Sequence, residues 1–88
     1  MKFEQIPQAE KLFNELLPGT GGMRLYGAQA GYWYFQIAYD LLHNHWGASY
    51  RPIHSADVRP IPIGKFFETR DQVEAACRHK YKELKANA

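Results

Sequence analysis

The stretch Gly31-Tyr32-Trp33-Tyr34-Phe35-Gln36-Ile37-Ala38-Tyr39 constrains this chain more than any other. It holds five of the thirteen aromatic residues and carries no charge before Asp40. Read with a period of two, Trp33, Phe35, Ile37 and Tyr39 share one face, and Tyr32, Tyr34, Gln36 and Ala38 share the other. That alternation, with its aromatic and β-branched content, predicts a strand half-buried in a sheet. A rival reading makes residues 28–43 one helix, because Ala28, Tyr32, Phe35, Tyr39 and Leu42 also share a helical face. Gly31 and the Tyr-Trp-Tyr-Phe run are poor helix formers, so the strand is preferred.

The flanking segments supply the rest of a small fold. Ala9, Leu12, Phe13, Leu16 and Leu17 follow the spacing of an apolar helix stripe. Pro7 fits its first turn, Pro18-Gly19 stops it, and Glu10, Lys11, Asn14 and Glu15 fall on the solvent side. After a glycine turn at residues 19–22, Met23-Arg24-Leu25-Tyr26 reads as a short strand, with Gly27–Gly31 as the loop into the aromatic strand. Asp40–Gly47 reads as a helical turn broken at Gly47. Ser49–His54 and Val58–Ile63 are extended and separated by Ser55-Ala56-Asp57. Pro60 and Pro62 direct their missing donors to the same side, which places that strand at a sheet edge. Thr69-Arg70-Asp71-Gln72 forms a capping box for a last helix running to about Lys85, with Val73, Ala76, Cys77, Tyr81 and Leu84 as its apolar stripe and Ala86-Asn87-Ala88 fraying. The expected fold is a single small α+β domain of order α-β-β-β-α, an antiparallel sheet with two helices packed on one face.

Composition narrows the function classes. At 88 residues with 45% apolar and 15% aromatic content, the chain suits one domain with a real core rather than disorder. No window resembles a membrane span or a signal peptide. A single cysteine, Cys77, excludes an internal disulfide and suits a reducing compartment, so a cytoplasmic location is expected. Residues 51–88 carry eight Lys or Arg against five Asp or Glu, whereas residues 1–50 carry three against four. This asymmetry is too mild to name a nucleic-acid or membrane partner.

Four histidines raise the question of a metal. His43 and His45 would share a face if extended, and His54 could come near. A His-x-His pair without Glu or Cys at ligand spacing is a weak zinc signal, so no metal and no cofactor is expected. Cys77 and His79 point about 200° apart on a helix, so the imidazole cannot activate the thiol. No Ser-His-Asp set is present, and the chain does not read as an enzyme. Arg70, Arg78, Lys82 and Lys85 on the last helix, with Lys80, could grip phosphates, or could form a solvated face with Glu74 paired to Arg78.

The element order resembles that of double-stranded-RNA-binding domains, as does the alanine-containing Gln72-Val73-Glu74-Ala75-Ala76-Cys77. That family's Lys-Lys at the start of the second helix is represented only by Arg70 beside Asp71, and its Gly-Pro-x-His loop is absent from Gly27–Gly31. The resemblance therefore implies an architecture and not an RNA activity. The first functional expectation is a protein-binding module docking on a larger protein through Tyr32, Tyr34, Trp46, Tyr50 and Arg51, types enriched where partners meet. Small accessory, regulatory or inhibitor proteins, including those carried by phages and plasmids, are built in this style. Nucleic-acid binding through Arg70, Arg78, Lys82 and Lys85 is the alternative. A homodimer closing the tyrosine face is a further expectation.

Overall fold

Strand β3 (Trp33–Asp40) forms where the alternation predicts it and lies at the centre of a five-stranded antiparallel sheet of order β1-β2-β3-β4-β5. The computed structural model describes residues 1–16, 22–56 and 59–87. The expected roles of Leu17, of Pro18-Gly19 and most of the glycine turn, of Asp57 and Val58, and of Ala88 lie outside the described residues. The other strands are β1 (Glu4–Gln5), β2 (Met23–Ala30), β4 (His45–Pro52) and β5 (Ile61–Pro62); the helices are α1 (Pro7–Leu16) and α2 (Arg70–Ala86).

The α+β class, the antiparallel sheet and the two terminal helices agree with the sequence reading, and residues 28–43 form strands joined by turns, with no helix among them. The short strand β1 is not among the expected elements, and of the described residues in the proline-bearing edge segment only Ile61–Pro62 is strand, as β5. The loop expected at Gly27–Gly31 shrinks to Gly31 and Tyr32, because β2 continues to Ala30 and pairs with Trp33. Gly31 takes φ +60°, the glycine-first geometry that lets a two-residue turn follow the twist of its strands. Gly27 is thus a mid-strand residue. The helical turn expected after Asp40 is a hairpin turn, Leu41–Asn44, and β4 begins at His45. Asn44 closes it with φ 54°, a left-handed conformation that asparagine tolerates.

Register divides the side chains. Phe35 and Ile37 oppose Tyr50 and Ala48 on β4, and Ala28 and Tyr26 on β2, so all six lie on one face. Helix α2 covers that face with Val73 and Cys77. Phe35, Ile37, Val73 and Cys77 have no solvent exposure, and Phe3, Ala28 and Ile63 complete the buried cluster. Ala76, Tyr81 and Leu84 pack around it, so the predicted stripe of α2 is the buried one. The capping box at Thr69 is formed in both directions.

Helix α1 behaves differently. It rests on β2, and none of its residues joins the cluster beneath α2, so of the two helices it is α2 that covers Phe35 and Ile37. Leu12 and Leu16 of its expected stripe are 57% and 69% exposed, whereas Glu10, expected in solvent, is buried. Both oxygens of Glu10 accept from Gln5 Nε2, at 3.0 and 2.9 Å. That bond satisfies a carboxylate which would otherwise be costly to bury, and turns the Ala9–Glu10–Phe13 side inward. The edge reading of the prolines holds: Ile63 donates to Ala48 O at 2.9 Å, and β5 is the outermost strand.

Phe35→Ala should cost about 3–5 kcal/mol in urea unfolding. Leu12→Ala should change stability by no more than about 0.5 kcal/mol. Equal losses at the two sites would contradict this division of the core.

Candidate functional site

Three groups of side chains remain once the core is assigned. The first is the sheet face opposite α2. Alternation puts Tyr34, Gln36 and Ala38 of β3 there, with Gly47, Ser49 and Arg51 of β4. A side chain at Gly47 would meet nothing within 4 Å, so this part of the face is open. Tyr34 is not a loose surface ring. A Cβ on Gly27 would collide with its hydroxyl and would lie 2.9 Å from Ile6 Cδ1, so the Tyr34 ring fills the gap left by that glycine. The guanidinium of Arg51, the residue opposite Tyr34 in register, lies 5.0 Å from the ring centre, within cation–π range. Beside them lies a depression of about 190 Å³ lined by Tyr34, Gln36, Ser49, Tyr50, Arg51 and Pro60.

The five residues expected to form one docking surface therefore separate. Tyr34 and Arg51 are together. Tyr50 and Trp46 turn to the α2 side: Tyr50 stacks on Phe35 at 5.9 Å, and Trp46 lies 4.9 Å from Tyr39 and 5.9 Å from Tyr26. Trp46 also exchanges two backbone hydrogen bonds with Phe67, both 2.8 Å. Tyr32 stands in the hairpin turn, 76% exposed, with its edge toward His54. Tyr26 is on the core face beneath Arg70, whose guanidinium is 4.4 Å from its ring.

The second group is the basic set on α2. Arg70 and Arg78 bond opposite oxygens of Glu74, at 2.8 and 3.1 Å, and Arg70 also reaches Phe3 O at 3.5 Å. Lys80 pairs with Glu83 at 3.0 Å, which raises the ammonium pKa and lowers that of the carboxyl, and Lys85 lies over Tyr81. His79 also contacts Glu83, at 2.9 Å. Lys82 is exposed on the same helix. These cations are brought together chiefly by their carboxylates.

The third group is at the β3–β4 turn, where the sequence reading missed a member. Asp40 Oδ1 accepts from the backbone N–H groups of Leu42 and His43, at 2.9 and 3.2 Å. Its Oδ2 faces His43 Nδ1 at 2.7 Å and His45 Nε2 at 3.6 Å. The hydrogen bond from His43 is the main reason the Asp40 pKa falls below the usual carboxylate value. The two imidazoles are nearly parallel, and His45 also stacks on Phe66 at 4.0 Å. His54 lies elsewhere, beside Tyr32. Asp40 could have been found only by knowing that a tight turn begins there.

Cys77 lies on the buried side of α2, and burial pushes its thiol pKa up to about 12, with Glu74 adding to the shift and Arg78 opposing it. Neither described helix is long and apolar enough to cross a membrane. No protein family, curated protein or solved structure matches this chain.

Because the thiolate is the reactive form, Cys77 should alkylate with iodoacetamide at pH 8 at least about a hundredfold more slowly in the native protein than in concentrated urea. Mass spectrometry over time reads this directly, and equal rates would show that α2 does not seal the thiol.

Proposed function

We propose that this chain is a non-enzymatic protein-binding module that docks on a larger protein through the open sheet face around Tyr34 and Arg51. The observation that carries the reading is the stacked Tyr34–Arg51 pair beside an open depression, on the face that α2 leaves uncovered. Its volume of about 190 Å³ is below the roughly 300–1,000 Å³ of small-molecule pockets, and suits one inserted side chain. Tyr and Arg are the types that dominate binding energy at protein interfaces. Among the described residues no ion pair holds Arg51, and its guanidinium edge suits a partner's carboxylate. The module acts as an accessory, regulatory or inhibitory subunit. It belongs in the cytoplasm, where a lone unreactive thiol suits the reducing conditions.

The ion pairs of Arg70 and Arg78 with Glu74 make α2 a weaker candidate surface, because a phosphate would have to compete with that carboxylate. Trp46 acts here through the fold, and Tyr50, whose ring stacks on Phe35, contributes only to the lining of the depression.

In affinity capture from a lysate, Arg51→Glu should weaken retention of the specific partner at least about thirtyfold, the size of an interface hot spot. The circular dichroism spectrum should stay unchanged, and Arg78→Glu should capture normally. Undiminished capture by Arg51→Glu would overturn this surface. So would light scattering that shows the wild-type chain to be a dimer dissociated by Arg51→Glu. Salt-sensitive binding of RNA or DNA, lost in Arg78→Glu, would move the function to α2.

A further inference from the structure

The turn between β3 and β4 carries a second feature, separate from the open face. Asp40, His43 and His45 each place one ligand atom so that all three lie within 4.8 Å of one another. Two imidazoles and one carboxylate make a recurring donor set for first-row transition metals. We propose that Asp40, His43 and His45 form a binding site for a divalent first-row transition cation such as zinc or nickel.

Spacing supports this assignment. With metal–ligand distances near 2.0–2.2 Å, donors around a tetrahedral zinc stand about 3.3 Å apart. Asp40 Oδ2 and His45 Nε2 are 3.6 Å apart, close to that separation, while Oδ2 and His43 Nδ1 at 2.7 Å share a hydrogen bond. An ion between them displaces that proton to His43 Nε2 or to solvent, and the two groups separate by about 0.6 Å. His43 can move, since its side chain is 61% exposed.

The surroundings hold the other two donors in place. The N–H groups of Leu42 and His43 occupy Asp40 Oδ1, which leaves Oδ2 facing the imidazoles. Phe66 stacks on the His45 ring and fixes its plane. Tyr39 donates its hydroxyl to Asn44 Oδ1 at 2.9 Å, bracing the left-handed residue that closes the turn. Support of this kind around ligating groups raises metal affinity. Three protein donors leave at least one position for water or for a side chain of another molecule, so this is an open site and not a closed structural one. Folding does not depend on it, because the buried cluster under α2 lies elsewhere.

The probes are zinc chloride and nickel chloride, titrated calorimetrically into chelator-treated protein. One ion should bind per chain, with the circular dichroism spectrum unchanged by chelation. His43→Ala and Asp40→Asn should each weaken binding at least about tenfold; asparagine can still accept the two turn N–H groups. His54→Ala and His79→Ala, away from the turn, should bind as the wild type does. Absence of saturable binding up to millimolar metal would overturn the assignment. Binding unaffected by His43→Ala would overturn it too, by placing the ion elsewhere.

Discussion

Phe35 and Ile37 lose all contact with water because α2 lays Val73 and Cys77 across them. Burying side chains of this size stabilises the fold by about 1.5–3 kcal/mol each, a large share of what a chain of 88 residues can assemble. The contact also sets register. Shifting β3 by one residue would put Gln36 and Tyr34 under the helix and Phe35 in water, so the pairing with β2 and β4 is held firmly. Everything displayed on the opposite face depends on that register, including the placement of Tyr34 across from Arg51.

The same anchoring explains why the two candidate sites sit where they do. A strand whose inner face is sealed presents its outer face as a rigid platform, and its hairpin ends at defined positions. The Tyr34 ring lies against Gly27 and under the guanidinium of Arg51, so the proposed docking surface is ordered in the free chain. Preorganisation lowers the entropy lost on docking. At the far end of β3, Asp40 is the last strand residue and His45 the first of β4, so the sheet itself sets their separation. His43 belongs to the turn and can adjust.

The edges are handled by local chemistry. Pro62 has no donor on the outer side of β5, while Ile63 bonds inward to Ala48, so a further strand would find an incomplete ladder there. At the other edge β1 is only two residues long and carries exposed Glu4. Both devices discourage pairing between sheets.

Period-two alternation determined the aromatic strand and its two faces, since only a strand separates Trp33, Phe35 and Ile37 from Tyr34 and Gln36. The capping box and apolar spacing likewise determined α2, and two prolines with their donors missing on one side determined the edge. These features are local, and adjacent residues carry the whole reason for them. Tertiary structure decided the rest. Leu12 and Leu16 were as well spaced as Val73 and Cys77, but whether a stripe is buried depends on what lies opposite, and only α2 found the core. Glu10 could turn inward because Gln5, from a preceding edge strand, was there to meet it. Gly27 looked like a loop until Tyr34 covered it. Asp40, three residues before His43 and five before His45, joined them because a four-residue turn folds the chain back on itself. A side chain's partners across strands depend on register and turn length, which no single segment of the sequence contains.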